Sequence, residues 1–167
     1  MMPVPPSKPG DSFFAWRLDR FQSAATWDSG TGAERFGGRW NAKGRRAVYC
    51  SIDPSTAILE VAVHAGFSML DTQPHVLTCV EVIDAPVHVV QPEQVPNPAW
   101  LMPGTPGAGQ QGFGSELLSR HGIVLFPSAV SRFSWNLVMD PGVAQGRYRL
   151  SSQAKFILDT RLHPPRS

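Results

Sequence analysis

The sequence predicts an α+β fold, on three observations. Its apolar runs are short, and several alternate with the period of two that marks a half-buried strand. One segment, Asp53 to Gly66, carries a full set of helix signals. A length of 167 residues, 42% hydrophobic and 17% charged, suits one globular domain, and no internal repeat divides it. The expectation is a single compact domain of short, mostly antiparallel strands with a few helices, about two. Residues 1–12 read as a flexible lead-in, 13–160 as the domain and 161–167 as a tail.

Phe13 to Leu18 alternates weakly and reads as a first strand carrying Arg17. Asp28 to Arg35 is glycine-rich and polar, hence a loop. Ala47 to Ser51 is a short strand. The helix after it has Asp53 as N-cap, Pro54 in its first position and Gly66 to stop it after Ala65. In the strand Val76 to Ile83, residues Val76, Thr78, Val80 and Val82 face one way, and Leu77, Cys79, Glu81 and Ile83 the other. Pro86 to Val90 reads as a further strand. Residues 91–114 are crowded with proline and glycine. A loop that long is uncommon in a compact domain, and is either a lid or binding loop or a disordered surface excursion. A short helix from Ser115 to Arg120 leads into the strand Ile123 to Phe126. Strand-like runs recur at Trp135 to Met139, Tyr148 to Leu150 and Lys155 to Leu158.

Composition excludes several classes. A net charge of +2 is too small for a general nucleic-acid or membrane binder. No apolar run approaches a bilayer span, and the proline-rich amino terminus lacks the apolar core of a signal peptide. The two cysteines, Cys50 and Cys79, lie in apolar strand-like segments and read as buried free thiols, with a reducing cytoplasm as the default location. The five histidines, His64, His75, His88, His121 and His163, show no metal-ligand spacing, so no metal site is expected. Neither a Walker-type loop nor a dinucleotide-binding glycine fingerprint is present.

Three features point to chemistry. Glu60 sits within Ala57-Ile58-Leu59-Glu60-Val61-Ala62-Val63, the most apolar helical run, where a buried carboxylate is costly unless paired, protonated or used. The alternative is an edge position paired with His64 one turn away. Arg39 lies in Gly37-Gly38-Arg39-Trp40-Asn41. The glycines let the backbone approach a ligand, and the guanidinium fork matches phosphate or carboxylate. Trp40 is placed either to stack on a flat ring or to pack, and the segment as a whole also fits a surface turn with a solvated arginine. Ser128 follows Pro127 at a strand end. It lacks the frame of a nucleophile, so its functional role is hydrogen bonding to a substrate. Tyr49, on the strand before the helix, fits either a core position or a cover over a substrate ring.

These residues, in this order, resemble the RES-domain family, named for an arginine, a glutamate and a serine. The matching stretches are Trp16-Arg17, Gly30-Thr31-Gly32-Ala33, Gly37 to Gly44, Val48-Tyr49, Ala57 to Val61 and Pro127 to Val130, followed by Asn136. They span about Phe13 to Pro141. Asp140 departs from the pattern, standing where a second asparagine is expected before proline.

The resemblance implies an ADP-ribosyltransferase-like fold and an activity that consumes NAD. It implies a toxin of a bacterial toxin–antitoxin pair, silenced by a helix-turn-helix antitoxin that covers the active site in a hetero-oligomeric complex. Carried over by position, Arg39, Tyr49 and Glu60 are the catalytic core, and Arg17, Trp40, Ser128 and Asn136 the substrate-binding supports. NAD is then a substrate, inorganic phosphate a possible co-substrate, and no metal is required. Hydrolysis and phosphorolysis both stay open. A second reading, transfer of ADP-ribose to a protein, commonly uses an acid or glutamine shortly before the catalytic glutamate, where this chain has Ile58. A third is a non-catalytic protein-binding module.

Overall fold

A computed structural model describes residues 2, 10–83, 87–104, 106–159 and 161. Its strands are β1 (Phe13–Arg20), β2 (Val48–Ser51), β3 (His75–Val82), β4 (His88–Val89), β5 (Ile123–Pro127), β6 (Trp135–Met139) and β7 (Tyr148–Phe156). They form one sheet in the order β4-β5-β6-β2-β1-β3-β7, antiparallel except for β4 beside β5. Four α-helices accompany them among the described residues: α1 (Thr31–Phe36), α2 (Pro54–Ala65), α3 (Phe67–Thr72) and α4 (Ala108–His121). The expected class, one domain of mostly antiparallel strands with helices, is the one observed.

The sheet is continuous in order but not in strength. β1 pairs with β3 along its whole length, from Phe13 opposite Val82 to Arg20 opposite His75. It meets β2 through one pair, Trp16 with Ser51. The strands β4-β5-β6-β2 and β1-β3-β7 are therefore two halves that part at a single bridge. Alternation then distributes the core. Ala15, Cys50, Val80, Leu125 and Leu137 bury one face. The other face is split between two clusters. One lies under α4, with Trp40, Leu118, Val124, Phe126 and Val138, and one under α2 and α3, with Leu18, Ala62 and Leu70.

α2 follows its sequence signals. Asp53 has extended φ/ψ and accepts a hydrogen bond from the Thr56 backbone N–H, Pro54 opens the helix, and Gly66 ends it at φ 82°. Val76, Thr78, Val80 and Val82, the set expected to share one face of β3, are buried throughout. Trp135–Met139 has its expected bounds. No helix among the described residues is long and apolar enough to cross a membrane.

Other expectations need correction. The stretch read as a loop from Asp28 to Arg35 contains all of α1 but its last residue. Gly32 weakens it locally, but Asn41 Nδ2 and the Gly44 N–H satisfy the carbonyls of Ala33 and Glu34 from outside the helix. The helix expected at Ser115 to Arg120 starts at Ala108. Its glycines lower helix propensity, yet Gly114 gives α4 its seat, since a Cβ there would stand 2.0 Å from the Trp40 carbonyl oxygen. The runs at Tyr148 to Leu150 and Lys155 to Leu158 belong to one strand ending at Phe156, carried through its polar middle by pairing with β3. α3 and a 3-10 turn at Phe21–Thr26 have no counterpart in the expected elements. Pro86 and most of the 1–12 and 161–167 segments lie outside the described residues. Met2, at the start of the expected lead-in, is packed in the core.

Candidate active site

The site lies between α2 and α4, where the two halves of the sheet part. Glu60 is half-buried on α2, and its Oε1 accepts two hydrogen bonds, from Ser128 Oγ and from Asn136 Nδ2, each at 2.8 Å. Asn136 lies on β6 opposite Ser51 of β2, whose hydroxyl donates to Asn136 Oδ1 at 3.3 Å and so orients the amide. Ser128 begins the loop after β5, and its oxygen accepts the backbone N–H groups of Val130 and Ser131. Both neutral donors thus have their directions set by other bonds. Oε2 of Glu60 has no hydrogen-bond partner among the described residues. The expected alternative, pairing with His64, is not what holds this carboxylate.

A second network aligns α2 with that loop. Thr56 Oγ1 and Ser134 Oγ are 2.9 Å apart, and both bond the Asp53 carboxylate. Burial alone would raise the Asp53 pKa. The hydrogen bonds from Thr56, Ser134 and the Ser55 N–H outweigh it and hold the carboxyl below its ordinary range. The cap that starts the helix also fixes Glu60 against Ser128 and Asn136.

Arg39 is carried by a loop tied down on every side. The Tyr49 hydroxyl donates to Asn41 Oδ1 at 2.6 Å and accepts the Trp40 N–H at 3.0 Å. Asn41, fully buried, donates to the carbonyls of Ala33, Ala42 and Arg45. A Cβ at Gly38 would lie 2.6 Å from the Tyr49 oxygen, so only glycine fits there. Burial pushes the Tyr49 phenol well above its usual range, against the opposing effects of its bonds to Trp40 and Asn41 and of the Arg39 charge. Tyr49 is accordingly a neutral brace, with its oxygen already engaged.

Trp40 is not available to a ligand. It is fully buried, stacked on Phe126 with centroids 4.4 Å apart and planes 9° apart. Of the two roles the sequence offered it, packing is the one observed, because the β5 face supplies a ring where a substrate would have lain. Arg17 stands outside the Glu60 cluster. Trp16 pairs with Ser51, so alternation turns Arg17 to the other face of β1. Its guanidinium bonds Asp19 at 2.9 Å and reaches the Tyr49 carbonyl at 2.9 Å, beyond the point where β1 and β2 stop pairing. Cys50, beneath it, has its thiol pushed up to about 12 by burial and is no nucleophile.

Sequence reasoning missed the clamp on the arginine loop. Arg39 Nη1 donates to the Trp100 carbonyl at 2.7 Å. Gln110 and Gln111 donate to the carbonyls of Arg39 and Gly38, and Ser115 accepts the Ala42 N–H. The 91–114 stretch is therefore neither an excursion nor a free lid among its described residues. The paired glutamines in a glycine-rich run were the available signal. A cavity of about 240 Å³ is lined by Trp100, Leu101, Ser128, Arg132 and Phe133, with Glu93 also in its wall.

A carboxylate fixed by Ser128 and Asn136, and an arginine loop clamped by α4 and Trp100, sit on a mixed seven-stranded sheet and define the class: a small α+β domain. The same fold is found in the Mycobacterium tuberculosis MbcT-MbcA toxin-antitoxin complex, matched with a TM-score of 0.72 and 22% identity over 90% of this chain and 87% of that one. The chain belongs to the RES domain family, whose model matches residues 14–159. "Toxin Res" of Photorhabdus laumondii is 32% identical over 152 residues, 88% of this chain and 95% of that protein. "Toxin Res" of Yersinia enterocolitica is 34% identical over 143 residues, 83% and 91% of the two chains. "Toxin Res" of Pseudomonas putida is 29% identical over 152 residues, 88% and 97%.

Proposed function

We propose that this RES-family toxin cleaves the bond between nicotinamide and ribose in NAD. The observation that carries the reading is Glu60, with one oxygen fixed by Ser128 and Asn136 and the other without a partner among the described residues. As the C1′–N1 bond breaks, nicotinamide leaves as a neutral molecule and positive charge builds on the ribose. A preorganised carboxylate stabilises that charge by an amount on the order of 3 kcal/mol. The electron pair of the broken bond goes to nicotinamide, and water, which releases a proton to solvent, or inorganic phosphate then attacks C1′. Arg39 is the candidate for the pyrophosphate, since its fork has donors left beyond the one spent on Trp100. Arg17, the second cation the resemblance suggests, is engaged by Asp19 and the Tyr49 carbonyl on the other face of β1, which leaves Arg39 the favoured one. Tyr49 acts by holding the arginine loop.

Protein ADP-ribosylation finds less support. Ile58, where such enzymes commonly place a second polar group, packs with Leu18 and Ala62. The proposed partner is an antitoxin of the helix-turn-helix kind that closes the route to Glu60 and Arg39, and the toxin named in the structural match is likewise solved in a toxin–antitoxin complex. Incubation of purified protein with NAD, with and without phosphate, tests the reading through its products. Free nicotinamide with ADP-ribose marks hydrolysis, and nicotinamide with ADP-ribose 1″-phosphate marks phosphorolysis. Intact NAD after incubation at micromolar enzyme overturns the reading.

A further inference from the structure

Phe133 is the one non-glycine residue with a positive φ among the described residues, at 70°. A bulky side chain is strained there, and strain of this kind persists where the surroundings impose it and function uses it. The surroundings are on hand. Ser128 N–H bonds the Ser134 carbonyl, Ser134 N–H bonds that of Ser131, and the Ser134 hydroxyl is tied to Asp53. The turn between β5 and β6 is thereby closed, and residue 133 is forced into the left-handed region.

Nothing in the fold rewards a phenyl ring at this point. Phe133 is 70% exposed and belongs to no core cluster. Glycine would take the same φ without strain, and a polar residue would be better solvated. The ring does line the cavity whose wall includes Ser128, the residue that holds Glu60. Trp100, whose carbonyl holds Arg39, lines the same cavity. Arg132 places its guanidinium 5.8 Å from the centroid of Phe133, covering one face of the ring and leaving the other.

The geometry points to Phe133 as a specificity-determining residue: its ring stacks on the planar heteroaromatic base at the end of the substrate nearest Glu60, in the cavity that Trp100 also lines. The inference rests on the NAD-cleaving reading for the identity of that base, nicotinamide. The stacking itself depends only on the cavity and the strained turn.

The test is therefore made on binding as well as turnover. Glu60→Gln is used to hold substrate without cleavage, and the affinities of Glu60→Gln and Glu60→Gln/Phe133→Gly for NAD and for nicotinamide mononucleotide are measured by calorimetry. One aromatic–base stack corresponds to roughly a tenfold change in Kd. The expected result is a loss of that size for both ligands, recovered by Phe133→Trp, while thermal melting of Phe133→Gly stays at or above that of the parent. Unchanged Kd for both ligands overturns the proposal. So does a loss confined to NAD, which moves the ring to the adenine end. If the wild-type protein leaves NAD intact but the double variant still loses affinity, the cleavage reading fails and the stacking role stands.

Discussion

At the scale of single residues, the site depends on which hydrogen bonds are spent. Glu60→Gln keeps size but removes the charge proposed to face the ribose. The expected outcome is an unchanged fold by circular dichroism and turnover of NAD lower by about 10²- to 10³-fold. Wild-type turnover in this variant removes Glu60 from the chemistry. Arg39→Lys keeps the charge but not the fork, and lysine has one point of contact to divide between the Trp100 carbonyl and a phosphate. A rise of about tenfold or more in KM is expected, and KM within a factor of two of the parent makes Arg39 a structural residue. Glu60 and Arg39 were legible as candidates because a carboxylate in an apolar run and an arginine framed by glycines are each locally improbable. Ser128 and Asn136 were named as supports, from a strand-end position and the family resemblance, but their bonds to Glu60 and the Trp100 bond to Arg39 were not legible. Ser128, Asn136 and Trp100 meet them across 61 to 76 residues of chain, and local pattern contains no record of that.

Elements show where local propensity decides and where packing overrides it. α2 has its N-cap, its proline and its stop in the sequence, and its bounds follow them. α4 has a stop at Gly122, with φ 75°, but no side-chain N-cap and no proline at its start, and Gly109, Gly112 and Gly114 argue against a helix. Their roles differ, and that difference is measurable. Gly114→Ala drives a methyl group into the Trp40 carbonyl, 2.0 Å away, whereas a methyl at Gly112 meets nothing within 4 Å. Gly114→Ala should cost about 1–3 kcal/mol in urea unfolding and loosen the arginine loop. Gly112→Ala should gain about 0.5–1 kcal/mol through helix propensity. Equal effects at both positions would mean that α4 does not rest on the arginine loop. The β7 strand was split in the sequence reading for a related reason. Its middle, Ser151-Ser152-Gln153, is exposed and has no apolar alternation, and only the facing β3 reveals it as one strand.

For the whole molecule, stability against acid is set partly far from the site. His88 on β4 stacks on His121 at the end of α4, with ring centroids 4.1 Å apart. Burial lowers the His88 pKa, and the neighbouring His121 and Arg120 charges lower it further. Arg147 also reaches this corner, through the His121 carbonyl. A folded-state pKa below the unfolded value, about 6.5, contributes stability that is present above that pH and lost as pH falls through the folded value. Unfolding free energy should therefore decline as pH falls below about 6.5, and His88→Phe, which stacks without titrating, should flatten the decline. An unaltered slope would place the acid sensitivity elsewhere.

The long chain separation between Glu60 and its holders has a consequence for synthesis. A ribosome delivers Glu60 first, Ser128 and Asn136 follow 68 and 76 residues later, and β6 cannot pair with β2 before then. At about 5–20 residues per second, the carboxylate waits roughly 4–15 s for its two donors. Throughout that interval the nascent polypeptide carries the acid without the geometry that gives it a use. The site is therefore assembled only once β6 has been made and has paired with β2.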